Sequence, residues 1–391
     1  MSESPQPVGI HDRIRELDVI RGFALFGVLL VNCLTLFRVS FAARLEGIPK
    51  PPLAPDHWTE LIASYFFEFK AITLFSLLFG VGSAIQWEKA TLRHISPFSF
   101  LTRRYLVLLF IGLIHMIFLW NGDILCLYAV CGLLILPLYG LSSRSLVIAG
   151  LALVILGFSS ITDGLFPSSL ILEEDKGLAT AVYSSGTYMD ILRFRIQETG
   201  DIILPLLIIT LPRTCGVFLL GAAAWKSGLL KNVERYRLSI ALGGIVLVIS
   251  GCIATFAIVW SQDTNTPLGE ILEWAERFSY LPLGIGYGAL IFSCLTARLK
   301  YWPLPELGAV GQMALTNYLL QSVVLTWVFY GYGLGYFGKL GSAICAALCV
   351  TLFAAQCAYS RWWLRRFEFG PVEWMWRSLT YGKRQQFTKI K

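Results

Sequence analysis

Charge is scarce in this chain. Asp, Glu, Lys and Arg make up 15% of its 391 residues, whereas hydrophobic residues make up 56%. A soluble domain rarely reaches that apolar share. A large soluble α/β protein of this composition would have too little polar sequence to cover its surface. Metal-ligand patterns are missing too. The nine cysteines lie in or beside apolar runs, with no CxxC pair and no His/Cys cluster. They read as small apolar residues in helices, and neither a metal site nor a disulfide framework is legible. The net charge of +7 is not gathered into one long basic tract. Its short clusters between apolar runs look like orientation determinants, not a nucleic-acid surface. No internal repeat is visible, so a transporter's inverted repeats find no support.

What the chain does have is a series of apolar runs long enough to cross a bilayer. About ten are discernible, at 17–37, 61–87, 104–120, 124–141, 145–165, 202–225, 237–260, 279–299, 307–329 and 339–360. They predict an all-α, polytopic integral membrane protein with a single transmembrane domain over 1–391. This would comprise a five-span part (1–165), an outer-face segment (166–201) and a C-terminal part (202–391). In the middle segment, "YMDILRFRIQETGD" has the apolar spacing of a surface helix. The second span is long and would begin as an interfacial helix at "HWTELIASYFFEF".

Residues 1–16 are polar, with Arg13 and Arg15 before the first run, as at the start of a secretory signal. The run from Val19 to Phe37 is longer than a signal core and carries Arg21, which predicts an uncleaved first span. The basic clusters are Arg13/Arg15, Lys89/Arg93/Arg103/Arg104, Lys226/Lys231/Arg235/Arg237, Arg298/Lys300 and Arg361/Arg365/Arg366. All fall on one side of a ten-span arrangement. Asp123, Glu173, Glu174, Asp175, Asp263, Glu270 and Glu273 fall on the other. The positive-inside rule then places both termini in the cytoplasm, with Arg38, Arg44 and Lys50 of the first loop a mild exception. The tail "RWWLRRFEFGPVEWMWRSLTYGKR" reads as an interfacial anchor. The expected partner is the lipid bilayer, in a bacterial plasma (inner) membrane. No nucleic acid is expected, and a homodimer is compatible with the sequence.

Ionisable and amide side chains inside the spans are costly in lipid, so they face the interior and mark function or structural pairing. Arg21 and Asn32 are eleven residues apart and share a helix face, joined by Asp18 one turn earlier. Asp18–Arg21 reads either as an ion pair at a helix start or as part of a site, and Asn32 either as interhelical glue or as a functional amide. Lys70 is expected to meet a carboxylate or a substrate. His115 precedes the turn "WNGD", which can bring Asp123 back to its ring and fix its tautomer. Pro205 and Pro212 predict a kinked span that presents Arg213 to a cavity or to a buried partner. Asn317 and Gln321, at i and i+4, suit helix packing or ligand contact.

Taken together, these residues resemble the YeiB-like bacterial membrane family, known as domain of unknown function 418. The resemblance rests on "LDVIRGFALFGVLLVN" (17–32), "KAITLFSLLFGVG" (70–82), "HMIFLWNGDILCLYAVCG" (115–132), "GQMALTNYLLQS" (311–322) and "GPVEWMWRSLTY" (370–381), and it covers nearly the whole chain. The first motif is also similar to that of heparan-α-glucosaminide N-acetyltransferase, a transmembrane enzyme that moves acyl groups from cytoplasmic acyl-CoA to sugars. Asn32 matches the end of its span-1 pattern, and His57-Trp58 locally matches its catalytic pair. The resemblance implies a transmembrane acyltransferase acting on an envelope sugar, lipid or small-molecule acceptor. Acyl-CoA would be a co-substrate, with no permanently bound cofactor and no metal. Arg21, with Arg103 or Arg104, would hold the donor's phosphates, and His115 would be the general base, oriented by Asp123. Asn32 would support the oxyanion, with His57 as reserve base. Asp18, Lys70, Arg213, Asn317 and Gln321 complete the expected substrate contacts. The rival reading is a transporter or flippase for a small amphiphile or metabolite, with the same polar residues lining a pathway.

Overall fold

A computed structural model describes residues 14–46, 54–158, 169–260, 267–297 and 304–389. Arg13, Lys50, Asp263, Arg298 and Lys300 lie outside these residues, as do positions 159–165 and 298–299 of the expected fifth and eighth spans. The described chain is helical. The helices are α1 (Arg15–Asn32), α2 (Phe41–Glu46), α3 (Ala54–Phe66), α4 (Lys70–Leu92), α5 (Pro97–Phe118), α6 (Leu125–Ile135), α7 (Ser143–Leu156) and α8 (Ser169–Ser185). They continue as α9 (Tyr188–Glu198), α10 (Leu204–Lys226), α11 (Val233–Trp260), α12 (Pro267–Thr296), α13 (Leu304–Gln312), α14 (Ala314–Phe329), α15 (Ser342–Leu364) and α16 (Pro371–Tyr381). Among the described residues the only β pairing is an isolated bridge between Phe367 and Thr388.

Among the described residues, seven helical segments are long and apolar enough to cross a membrane: 15–37, 54–92, 97–118, 188–226, 234–256, 278–296 and 342–364. Three shorter apolar stretches, 125–140, 143–156 and 314–329, accompany them. Many large apolar side chains on these helices point outward, Leu106, Phe110, Phe118, Val246, Ile253 and Val350 among them. In water such a surface would aggregate, whereas in lipid it is the normal exterior. The chain is a multi-pass membrane protein.

Close backbone approach organises the bundle. α1 packs on α13, α10 on α4 and α7, and α11 on α12. The crossings use glycine where a side chain would not fit. A Cβ on Gly311 would overlap the Asp18 carbonyl oxygen, one on Gly22 would overlap that of Leu307, and one on Gly80 that of Phe218. Small residues at such contacts let helices gain van der Waals packing in lipid, where the hydrophobic effect between helices is weak. Helix starts follow capping chemistry. The Ser96 hydroxyl accepts from Ser99 N ahead of Pro97, and Thr187 and Asp190 form a reciprocal capping box.

Three regions gain detail. The second span opens on a helix of its own, α3. It breaks between Phe66 and Lys70, where Phe69 adopts a left-handed φ of 59°. There the Glu68 carboxylate turns aside to Arg44, and Lys70 Nζ reaches back to the Ser64 carbonyl at 3.0 Å. Segment 188–198 forms a helix, α9, with Tyr188, Met189 and Ile196 exposed and a charged pair turned inward. Arg195 and Glu198 are fully buried, and α9 runs through a π-helical turn at Thr199–Ile203 into α10. Finally, α16 does more than anchor the tail. It packs on α5 and α14 and walls a cavity.

Candidate functional site

The stripe on α1 is the natural starting point. Arg21, Leu25, Val28 and Asn32 recur at helical spacing, and all four line cavities. Arg21, Leu25 and Val28 face a cavity of about 220 Å3. Val28 and Asn32 face a second, of about 530 Å3. Ile124 also borders both. The two spaces therefore lie end to end along α1, with Val28 and Ile124 as their common wall. The stripe is polar at its ends and apolar in its middle.

The smaller cavity is basic. Arg21, Arg104 and Arg377 line it together with Gln86 and Gln312, and Tyr128 and Tyr318 lie among its walls. Asp18 does not enter it but holds Arg21 through a 2.5 Å ion pair. The Arg104 guanidinium stacks 3.7 Å from the Trp376 ring, whose Nε1 donates to the Arg104 carbonyl at 3.0 Å. Planar stacking fixes a guanidinium while leaving its edge donors for an anion. Arg103 lies instead beside Gly382.

α16 is held in place by Glu373. Its Oε1 accepts from Leu315 N at 2.7 Å and Thr316 N at 3.0 Å, and its Oε2 accepts from the Thr316 hydroxyl. This carboxylate sits on the free amides that open α14, where negative charge is favoured. Burial nevertheless pushes the Glu373 carboxyl above its ordinary value, and these donors offset the shift only in part. A raised folded-state pKa means that the folded protein binds more protons than the unfolded one in the intervening window. Stability contributed by Glu373 is therefore full below the ordinary glutamate range and falls as pH rises through the raised value. Glu373→Gln is expected to flatten thermal unfolding midpoints across that window, whereas wild type slopes downward with rising pH.

The larger cavity is mostly apolar. Leu36, Phe41, Ile72, Leu127, Leu206 and Leu207 form much of its wall, with Asn32, Asn121, Asp123 and Arg213 as polar insertions. Arg44 lines it as well, paired with Glu68.

His115 and Asp123 do meet. His115 Nδ1 stands 2.8 Å from Asp123 Oδ1, and Cys126 N donates to Asp123 Oδ2 at 2.6 Å. The other ring nitrogen, Nε2, lies 2.9 Å from Ser322 Oγ. Ser322, His115 and Asp123 thus form a linear Ser–His–Asp relay. It is sealed, with side-chain exposures of 1% for His115 and 0% for Asp123. Asp123 borders the larger cavity, but its carboxylate oxygens turn to His115 and Cys126. The Tyr318 ring lies 5.2 Å from the His115 ring and separates it from the basic cavity. Ser322 closes one of the quoted motifs, but nothing in the sequence marks it as a partner of His115. Only tertiary folding sets α14 against α5.

The remaining expected contacts divide. Asn317 and Gln321 serve packing: Asn317 Nδ2 donates to Ser360 Oγ at 2.9 Å, and Gln321 Nε2 donates to Gln356 Oε1 at 2.8 Å. Both join α14 to α15, and neither is among the residues lining the two cavities. Lys70 is buried, bonded to the Ser64 carbonyl and 5.4 Å from the Tyr280 ring, and lines neither cavity. His57 stands in the first turn of α3, 5.9 Å from Trp58, and likewise lines neither cavity. No group of His, Cys, Asp and Glu among the described residues could hold a metal ion.

Fold and site together define a helical, multi-pass membrane protein with a basic cavity and an apolar cavity sharing one wall. The profile described as "Protein of unknown function (DUF418)" matches residues 224–383. "Uncharacterized protein YxaH" of Bacillus subtilis is 32% identical over 99% of this chain and 98% of its own length. "Uncharacterized protein YeiB" of Escherichia coli is 30% identical over 93% of this chain and 95% of its own length. The "Uncharacterized 39.9 kDa protein in amylase 3'region" of Bacillus acidopullulyticus is 27% identical over 97% and 96%, respectively. The chain belongs to the YeiB-like DUF418 family of membrane proteins. No solved structure matches it.

Proposed function

We propose that this protein is a transmembrane acyltransferase of the plasma membrane, crossing the bilayer ten times with both termini in the cytoplasm. It would move an acyl group from cytoplasmic acyl-CoA to an envelope or small-molecule acceptor. The observation that carries this reading is the pair of unlike cavities abutting at Val28 and Ile124. Transfer across a membrane needs a polar, anion-binding entry on one side and an acceptor site on the other, meeting within bond-forming reach. Arg21, Arg104 and Arg377 give the basic cavity the donors that a phosphate-bearing acyl carrier requires. Asn32, in the adjoining cavity, is the amide placed to stabilise an oxyanion. His115 is the base. Ser322 Oγ holds its Nε2, so the acceptor's proton reaches the ring only when acceptor binding opens the sealed relay.

The test is transfer of labelled acyl from acyl-CoA to extracted envelope acceptors in proteoliposomes. Arg21→Gln removes one charge-assisted contact, each worth ~1.5–3 kcal/mol, so CoA affinity is expected to fall about tenfold or more. A shared thin wall between opposed cavities also suits a carrier in an occluded state. Absence of transfer with every acyl-CoA tried, combined with solute flux through the same vesicles, would establish that second reading instead.

A further inference from the structure

Arg213 stands out among the charged residues of the spans. It lies on α10, within the apolar segment 188–226, and lines the larger cavity. Its neighbours are rings: the guanidinium carbon is 5.4 Å from the Phe69 ring and 5.5 Å from the Phe158 ring. Among the described residues no carboxylate lies within ion-pair distance of it. The single acid of the described cavity wall, Asp123, has both oxygens engaged by His115 and Cys126 N. The other guanidinium there, Arg44, is neutralised by Glu68.

A guanidinium held in an apolar membrane cavity without a counter-charge is costly, and a bound anion removes that cost. The surrounding wall is hydrocarbon: Leu36, Ile72, Leu127, Leu206 and Leu207. Its rim includes Phe41, Leu45 and Phe69, the last two exposed where lipid chains would lie. The volume of about 530 Å3 falls within the range of small-molecule sites. A free inorganic anion would satisfy the charge and leave the hydrocarbon wall empty. A neutral lipid would fill the wall and leave the charge bare.

We infer that the larger cavity binds an amphiphile with an oxyanionic head and a hydrocarbon chain, its head paired with Arg213 and its chain along the Leu36–Leu207 wall. This rests on the transfer reading only in making that amphiphile the acceptor; the binding site itself stands on Arg213 and the cavity. A fork of guanidinium donors matches a phosphate or carboxylate head in two parallel hydrogen bonds.

The experiment uses the full-length purified protein and three probes: dodecyl phosphate, dodecanol and inorganic phosphate. Dodecyl phosphate is expected to raise the thermal unfolding midpoint in a saturable way, and the other two at equal concentration are not. Arg213→Leu is expected to weaken dodecyl phosphate binding ~tenfold or more, the loss of one charge-assisted pair. Leu206→Trp, two turns before Arg213 on the same face of α10, fills the cavity, provides a second variant and is expected to block the same probe without altering CoA binding. Equal stabilisation by dodecanol, equal stabilisation by inorganic phosphate, or undiminished binding by both variants would overturn the assignment. Dodecyl phosphate binding that depends on Arg213, in a protein that transfers no acyl group, would refute acyl transfer and support this site. Acyl transfer unaffected by Arg213→Leu would refute the site as the acceptor's and leave transfer standing.

Discussion

Gly311→Leu is expected to leave almost no folded protein. At Gly311, α13 lies directly on α1, and even a Cβ would overlap the Asp18 carbonyl oxygen and come within 2.9 Å of Gly22 N. The obstacle is backbone on both sides, so no rotamer change relieves it. Overpacking of side chains costs ~1–3 kcal/mol, and here helix separation is the only remedy, so the cost exceeds ~3 kcal/mol. Separation would also move Arg21, Leu25 and Val28 and dismantle one wall of the basic cavity. Gly243→Leu is the control, because a Cβ there meets nothing within 4 Å and the position is exposed. Size-exclusion profiles of fluorescent fusions in mild detergent should show a monodisperse peak for Gly243→Leu and aggregate for Gly311→Leu. A monodisperse Gly311→Leu protein with wild-type yield would mean that α1 and α13 do not cross as described.

His115→Ala is the second large effect, and it joins stability to chemistry. The ring connects α5 to Asp123 at the start of α6 and to Ser322 on α14. Its removal takes one hydrogen-bond partner from a buried carboxylate and one from a buried hydroxyl, at about 1–3 kcal/mol for each group. A lowered thermal midpoint is therefore expected together with lost transfer. Alanine alone cannot separate a structural ring from a catalytic one. His115→Asn can, because its amide N–H is able to donate to Asp123 but cannot accept a proton at neutral pH. The expected result is recovery of most of the thermal midpoint with no recovery of transfer. His57→Ala should be indistinguishable from wild type in both. Transfer by His115→Asn at the wild-type rate would reduce His115 to a packing role, and loss of transfer in His57→Ala would move the base to α3.

Much of this protein was legible in the chain itself. Membrane spans announce themselves because an apolar run must satisfy its own backbone hydrogen bonds, and helices do so locally. The helical segments accordingly fall close to the apolar runs. The pairing of His115 with Asp123 was also readable. Eight residues and one tight turn separate them, so chain connectivity nearly forces the encounter. The same holds for the α1 stripe, whose ends at Arg21 and Asn32 follow from helical periodicity alone.

The rest depended on contacts between residues far apart in sequence. Ser322 reaches His115 across 207 residues, and Glu373 reaches Thr316 from a tail that reads as a simple anchor. Asn317 and Gln321 suit helix packing or ligand contact equally well on the helix face alone, and Ser360 and Gln356 are seen to take their amides. Arg195 and Glu198 look like surface charges until α9 is seen to turn them inward. The sequence by itself determined which segments are helices, which of them suit lipid, and which side chains are too polar to face it. Only the tertiary structure decided whether each polar group meets a protein partner or a cavity. In lipid the cost of an unpaired polar group is fixed locally, but the partner that removes it is set by which helices pack together.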